Sequence, residues 1–252
     1  MATVPTEKKE RVDVLLVERG LVESRARAHA RIMAGDVIVD DRRVDKPGEK
    51  VSRNAEIRLK GEDMPWVSRG GLKLDAALGW FAVDVAGLVC LDVGASTGGF
   101  SDVLLARGAD KVYAVDVGYG QLAHKIRSDP RVVVMERMHI GKLPSGALDP
   151  APSVGVVDVS FISLTQVLPA LIQHLRRPAR VVVLIKPQFE VGKDNVGKGG
   201  IVRDDKLRAA AVERVIASAL SLGLRLIGDG VKESPVTGAD GNVEYLAAFT
   251  LE

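Results

Sequence analysis

From residue 69 onward, short apolar runs alternate with longer amphipathic stretches. The runs are rich in valine, as buried parallel strands are, and they cover 88–93, 112–117, 132–135, 154–159 and 181–185. Apolar residues at helical spacing lie between them, for example at 100–107, 164–175 and 204–222. Strands that alternate with helices predict an open, doubly wound α/β sheet with helices on both faces. A further run at 243–251 is expected to close the sheet.

Residues 11–60 have a different pattern and predict a small α+β domain. A first helical pattern ends at Gly20, and Ser24 is a good N-cap for a second helix that ends at Gly35. Alternating apolar residues at 37–44 are typical of a hairpin. The sequence thus divides into four predicted segments: a disordered tail at 1–10, a small domain at 11–60, a linker at 61–68 and a large domain at 69–252.

The small domain carries the basic excess of the chain. It contains 12 Lys and Arg residues against nine acids, a net charge of +3, whereas the whole chain of 252 residues has +2. Cations at one-turn spacing on a helix repel one another unless a polyanion lies alongside. A solvated face neutralised by nearby acids is the alternative, and charge alone leaves both open. The candidate RNA contacts are Arg25, Arg27, Arg31, Arg42, Arg43 and Lys46.

Composition excludes several classes of protein. The single cysteine, Cys90, rules out an intrachain disulfide and fits a reducing cytoplasm. The longest apolar run, near 181–185, is far shorter than the roughly 20 residues of a membrane-spanning helix. The four histidines are scattered and show no metal-ligand spacing. The sequence therefore predicts a cytoplasmic protein without metal or membrane partner, and it does not predict an oligomeric state.

Candidate functional residues follow the predicted strands. The first strand leads into Asp-Val-Gly-Ala-Ser-Thr-Gly-Gly-Phe at 92–100, which lacks the glycine that a dinucleotide loop would need at Ser96. Asp116, after the second strand, can accept hydrogen bonds from two ribose hydroxyls. Asp158 and Lys186 follow the fourth and fifth strands. A lysine directly after an apolar strand is costly to bury unless it is paired, which favours a functional role.

A second glycine-rich segment follows Lys186. Residues 192–199, Gly-Lys-Asp-Asn-Val-Gly-Lys-Gly, nearly spell a phosphate-binding P-loop. No Ser or Thr follows Lys198, and the segment comes after the fifth strand, so ATP binding is excluded. A basic loop over an RNA backbone and an ordinary loop remain open as interpretations.

These motifs resemble known families. Residues 21–40 resemble the RNA-binding domain named after ribosomal protein S4, and the 92–100 loop resembles the S-adenosylmethionine loop of Rossmann-like methyltransferases. The segments around Trp66, Asp116, Lys186 and Glu244 are similar to those of the TlyA (haemolysin A) family. This similarity covers about residues 11–250 of the chain. The cofactor-binding residues that this resemblance implies are Asp92, Gly94, Ala95, Ser96, Thr97, Gly98, Gly99, Phe100, Asp116 and Asp158.

The resemblance also implies a reaction. Lys73, Asp158, Lys186 and Glu244 stand in the order of the catalytic Lys-Asp-Lys-Glu tetrad of FtsJ-like ribose 2′-O-methyltransferases. The implied substrate is ribosomal RNA, at a cytidine. Large-subunit RNA is favoured because the chain stops just after its last strand. Lys186 is expected to contact the 2′-hydroxyl, as a general base or as an electrostatic stabiliser. One departure is Met64, where the family linker has arginine.

Two other functions are weighed against this one. A non-catalytic RNA-binding factor in ribosome assembly would keep the fold and lose the chemistry, but all four tetrad positions are filled. A membrane-active haemolysin, as the family name implies, is disfavoured by the absence of a spanning segment or a long basic amphipathic helix.

Overall fold

The computed structural model describes residues 9–60, 65–238 and 241–252, and the chain divides into two compact units between residues 63 and 64. The predicted tail at 1–10 ends too late, because Lys9 and Glu10 lie in a strand that pairs with residues 51 and 52. Its first eight residues lie outside the described residues. So do residues 61–64 of the predicted linker, Met64 included.

Unit 1 is a small α+β unit. Its elements are β1 (Lys9–Arg11), α1 (Val12–Glu18), α2 (Arg25–Met33), β2 (Val37–Val39), β3 (Arg42–Arg43), β4 (Lys50–Ser52) and β5 (Ile57–Leu59). Strand β2 pairs antiparallel with β3 and β5, and β1 pairs with β4. The Ser24 side chain accepts a hydrogen bond from the Arg27 amide, which confirms Ser24 as the N-cap of α2. The helices bury an apolar core that includes Leu16 and Ile32 against the strands.

Unit 2 is built on one seven-stranded sheet. Its elements are α3 (Gly70–Trp80), β6 (Val89–Val93), α4 (Gly99–Ala106), β7 (Lys111–Val115), α5 (His124–Arg127), β8 (Val132–Met135), β9 (Val154–Val157), α6 (Leu164–Ile172), β10 (Ala179–Ile185), α7 (Pro187–Glu190), α8 (Asp205–Ser221), β11 (Leu224–Glu233) and β12 (Tyr245–Leu251). The strand order is β11-β12-β10-β9-β6-β7-β8, with β8, β7, β6, β9 and β10 parallel. The predicted Rossmann-like α/β fold is confirmed, but β12 runs antiparallel to both β10 and β11, so the sheet is mixed.

Successive side chains of a strand point to opposite faces of the sheet, so the sheet has one apolar core on each face. Cys90 belongs to the cluster that α3 and α4 cover, whereas its neighbour Leu91 belongs to the cluster under α6 and α8. The sheet is thus the middle of three layers, as a doubly wound fold requires. Because β6, β7, β9 and β10 are parallel, the loops that follow them lie at one edge of the sheet. This edge is where ligands bind in such sheets.

Candidate active site

The loop after β6 is shaped by its glycines. Gly94 has φ +87°, and a Cβ on it would lie 2.2 Å from the backbone oxygen of Asp158. The end of β9 therefore approaches too closely for any side chain at this position. Gly98, with φ +94°, precedes the first turn of α4. The glycines thus serve the packing of neighbouring strand ends as well as keeping the edge of the sheet open.

Asp116 joins the loops after β6 and β7. Its Oδ2 accepts a hydrogen bond from the Ser96 amide at 2.8 Å, and its Oδ1 accepts one from the Gly118 amide at 2.6 Å. A carboxylate offers about four acceptor positions. Two of them therefore remain for hydroxyl donors of a ligand.

Two adjoining clefts open at this edge. The first, about 340 Å³ in volume, lies between the loops after β6, β7, β8 and β9 and has Asp116, Val117, Met138 and Ile162 among its lining residues. The second, about 410 Å³, is lined by the start of α3, including Lys73, and by the 94–100 loop. Gly94, Ser96 and Asp158 line both clefts. The two clefts therefore meet beside Asp158, and a ligand bound in one would lie close to a ligand bound in the other.

Asp158 and Lys186, which follow β9 and β10, form an ion pair. Lys186 Nζ lies 2.6 Å from Asp158 Oδ1 and donates a hydrogen bond to Ser160 Oγ at 3.0 Å. Both side chains are mostly buried. These contacts hold the lysine head against Asp158, which lines both clefts, and Ser160, which lines the first, although Lys186 is not itself among the lining residues.

A buried glutamate secures the segment that carries Lys186. Glu190, at the end of α7, accepts a hydrogen bond from Ser163 Oγ at 2.6 Å and one from the Leu164 amide at 2.9 Å. Burial raises the pKa of this carboxyl. These contacts join α7 to the N-terminus of α6 and limit the movement of the backbone next to Lys186.

Lys73 and Glu244 form a second, more deeply buried pair. Lys73 Nζ, on α3, donates to Glu244 Oε2 at 2.5 Å, and the two residues are 171 positions apart. Gly238 leaves the space for this carboxyl, because a Cβ there would lie 2.5 Å from Glu244 Oε1. All four tetrad residues are thus arranged as two lysine–carboxylate pairs, and Lys73 and Asp158 line the same cleft.

Asp92 lies away from the clefts. It is inside β6 and fully buried, its Oδ2 accepts a hydrogen bond from Ser101 Oγ at 2.7 Å, and burial raises its pKa to about 7. It lines neither cleft, and Gly98 does not either. The other loop residues proposed to bind cofactor line at least one of the clefts: Gly94, Ala95, Ser96, Thr97, Gly99 and Phe100.

Sequence reasoning missed the most exposed aromatic residue of this edge. Phe161 is 92% exposed, has φ +65°, lines the first cleft and lies 5.1 Å from the ring of Phe189. The Ser-Phe dipeptide after β9 was the available signal. Tyr119 is also exposed, with the Arg137 guanidinium 4.1 Å from its ring.

Unit 1 uses several of its candidate RNA contacts internally. Arg31 is only 8% exposed, donates to the Lys60 carbonyl at 2.9 Å and pairs with Asp36, so the expectation that it contacts RNA does not fit its burial. Arg25, Arg42 and Arg43 are exposed and pair with Asp13, Glu49 and Asp45, respectively. Lys46 is exposed.

Over the described ranges 9–60, 65–238 and 241–252, the helices are too short or too polar to cross a membrane. In the same ranges, His, Cys, Asp and Glu residues form no cluster of three or more with the arrangement of a metal site.

Comparison with known proteins identifies two domains and several relatives. Residues 10–57 match the S4 domain, and residues 66–251 match the FtsJ-like methyltransferase family. The chain is 50% identical, over 94% of its length and 88% of the relative, to the 16S/23S rRNA (cytidine-2′-O)-methyltransferase TlyA of Mycobacterium tuberculosis. It is 41% identical to Hemolysin A of Brachyspira hyodysenteriae, over 96% of this chain and all of the relative.

A solved structure is similar over both units. It is the structure of a protein from Streptococcus thermophilus that is named as a candidate hemolysin. The TM-score is 0.75 and the sequences are 44% identical, and the match covers 98% of this chain and 90% of the other. The expected resemblance and the S-adenosylmethionine-dependent methyltransferase fold are therefore confirmed. With an S4 domain followed by an FtsJ-like methyltransferase domain, and with this level of identity to TlyA and Hemolysin A, the chain belongs to the TlyA (haemolysin A) family.

Proposed function

We propose that this chain methylates the ribose 2′-oxygen of a cytidine in ribosomal RNA, with large-subunit RNA as its target. The observation that carries the proposal is the Lys186–Asp158 pair, because Asp158 lines both clefts. The 50% identity to a relative named as a 16S/23S rRNA (cytidine-2′-O)-methyltransferase supports the substrate class. We further propose that unit 1 binds the RNA and that unit 2 transfers the methyl group.

The first cleft fits S-adenosylmethionine, the methyl donor of this family. Val117, Met138 and Ile162 provide apolar walls suited to an adenine ring. Asp116 keeps acceptor positions for the two ribose hydroxyls, since each of its oxygens binds one backbone amide. Ser96 and Gly94, shared with the second cleft, would hold the methionine part beside Asp158.

When bound, the cofactor supplies an electrophilic methyl group. A ribose hydroxyl is a weak nucleophile, so the protein must stabilise the negative charge that develops on its oxygen. We assign this role to Lys186, because its Nζ is held by Asp158 and Ser160, which both line the first cleft. We assign Lys73 to the wall of the second cleft, where its pairing with the buried Glu244 fixes the start of α3.

Tritiated S-adenosylmethionine and isolated ribosomal subunits test this function. The wild-type chain is expected to label large-subunit RNA at a cytidine 2′-oxygen, and Lys186→Ala to lose the label by roughly 100-fold or more, as for removal of one group that stabilises a developing oxyanion. Lys111→Ala, at the opposite edge of the sheet, is the matched control.

Each alternative has its own result in this experiment. Label in small-subunit RNA, alone or together with label in large-subunit RNA, would contradict the choice of subunit. RNA binding without any label would identify a non-catalytic assembly factor. Leakage of liposomes by pure protein, without label in RNA, would identify a membrane-active protein.

A further inference from the structure

The glycine-rich segment 192–203 is an ordered loop with a cationic outer side. Gly197 donates its amide to the Ile201 carbonyl at 3.1 Å, and Gly200 donates to the Gly197 carbonyl at 3.0 Å. Gly199 and Gly200 have φ values of +79° and +77°, which glycine adopts without strain. Lys198 therefore stands at the tip of a closed turn.

The other half of this loop is closed in the same way. The Asn195 amide donates to the Gly192 carbonyl at 3.2 Å, and the Asn195 side chain donates to the Val191 carbonyl at 2.8 Å. This turn carries Lys193, which is exposed. Beneath both turns a small apolar cluster, formed by Val191, Val202 and Ala211 with neighbours, packs the loop onto α8.

Asn242 attaches the loop to the candidate active site. This residue is 1% exposed, its Oδ1 accepts the Val202 amide at 3.0 Å, and its Nδ2 donates to the Gly200 carbonyl at 2.8 Å. Asn242 lies two positions before Glu244, the partner of Lys73. The loop itself begins six positions after Lys186. The loop is thus joined to Lys186 by a short stretch of chain and is hydrogen-bonded to a residue two positions from Glu244.

Within its own bounds the loop carries an excess of cations. Residues 192–203 contain Lys193, Lys198 and Arg203 against one acid, Asp194, a net charge of +2. Neither lysine forms an ion pair with any described residue, whereas Lys73 and Lys186 are both paired. Exposed, ordered and uncompensated cations next to a site for an RNA ribose are complementary to phosphates.

We propose that loop 192–203 binds the RNA backbone next to the target nucleotide, and that Asn242 is the positioning residue that holds the loop there. Lys193 and Lys198 contact phosphates, and the glycines allow a close approach of the backbone. This inference rests on the proposed function, because RNA is the substrate that brings phosphates to the tetrad.

The full-length double variant Lys193→Gln/Lys198→Gln tests the surface, with rRNA as the probe. We expect its dissociation constant for rRNA to rise roughly tenfold at about 0.1 M salt, and the slope of log K against log salt to shrink by about 2. Binding of S-adenosylmethionine is expected to stay unchanged. The matched control is Lys111→Gln/Arg176→Gln, which removes the same charge at the opposite edge of the sheet.

An unchanged affinity and salt slope relative to the control would overturn the proposal. Affinity is measured without methyl transfer, so the two failures are distinguishable: a wild-type chain that binds rRNA but does not methylate it contradicts the proposed function only.

The variant Asn242→Ser tests the positioning role, because its side chain is too short to hold both loop contacts. We expect KM for rRNA to rise with kcat and cofactor affinity retained. A lower Tm with an unchanged KM would show that Asn242 is only structural and would overturn this part.

Discussion

Unit 1 and unit 2 each bury an aspartate, and the two differ in their neighbours. Asp13 accepts hydrogen bonds from Arg11 at 2.9 Å and from Arg25 at 2.8 Å, and these guanidinium groups hold its pKa well below the ordinary value. Asp92 has only the Ser101 hydroxyl as a side-chain hydrogen-bond partner among the described residues, and burial raises its pKa to about 7. A neighbouring cation, rather than burial itself, decides the charge of a buried acid.

Lys73 and Glu244 extend this comparison to the candidate active site. Here both members of the pair are buried, so the loss of either side chain leaves the other as a buried group without its partner. Such pairs are sensitive to the loss of one partner, whereas pairs on the surface of unit 1 tolerate it. We therefore expect function in unit 2 to depend on single groups and function in unit 1 to be spread over many.

The largest effect is expected from Glu244→Gln, which leaves the buried Lys73 without its carboxylate. Breaking a buried pair costs about 3–5 kcal/mol of unfolding free energy. Both tryptophans, Trp66 and Trp80, lie in unit 2, so denaturant unfolding followed by tryptophan fluorescence reports this unit. The double variant Lys73→Met/Glu244→Leu should recover most of the stability without activity. A single variant as stable as wild type would contradict the account.

A smaller loss is expected from Asp13→Asn in unit 1. Arg11 and Arg25 are about half exposed, so solvent screening limits the cost to about 1–2 kcal/mol. Hydrogen exchange of the α1 amides measures it, with the exposed Asp45→Asn as the control.

The pH dependence of Asp13 has a definite sign. Because its folded pKa is lowered, its contribution is complete above the unfolded value of 3.8 and is lost as pH falls below that value. Asp13→Asn should remove this acid loss. An identical acid dependence in wild type and variant would show that the arginines do not stabilise the charge.

Asp92→Asn is expected to act in the opposite direction. The folded pKa of about 7 exceeds the ordinary value of 3.8, so the wild type loses stability as pH rises from about 4 to 7. Asparagine can still accept from Ser101 and does not ionise, so the variant should be more stable than wild type by about 1–2 kcal/mol above pH 7. The exposed Asp110→Asn is the control. Parallel stability curves for wild type and Asp92→Asn between pH 5 and 8 would contradict the assignment.

The smallest effect on stability is expected from Arg42→Gln, which breaks the exposed pair with Glu49. Surface pairs contribute little, so the unfolding free energy should stay close to that of wild type. If Arg42 binds RNA, the slope of log K for rRNA against log salt should shrink by about 1. An unchanged slope would show that Arg42 does not contact RNA.

Much of the fold could be predicted because buried parallel strands have a strong local signal. The runs that predicted 132–135 and 88–93 correspond to strands within one residue of those limits. Strand β11 (Leu224–Glu233) escaped because Gly228 and Gly230 interrupt its pattern and its pairing with β12 shifts register there. Strand β1 pairs with residues about 40 positions away, which periodicity does not show.

The residues of the candidate site, like the strands, could be predicted where the pattern that indicates them is local in the sequence. Asp116, Asp158 and Lys186 could be located because each follows a recognisable strand. The Lys73–Glu244 contact joins ends of unit 2 that are 171 positions apart, and only the resemblance to a family indicated both residues. Arg31 donates a hydrogen bond to the Lys60 carbonyl, 29 positions away, which the helix pattern around Arg31 does not reveal.

A position-resolved map of 2′-O-methylation tests the central claim most directly. Unmethylated large and small ribosomal subunits are incubated with S-adenosylmethionine and either the wild-type chain or Lys186→Ala, and every ribose of both rRNAs is scored. The account predicts a new 2′-O-methylcytidine in large-subunit RNA with wild type and its loss with Lys186→Ala. A map without any new 2′-O-methyl group, or one that is unchanged by Lys186→Ala, would contradict it.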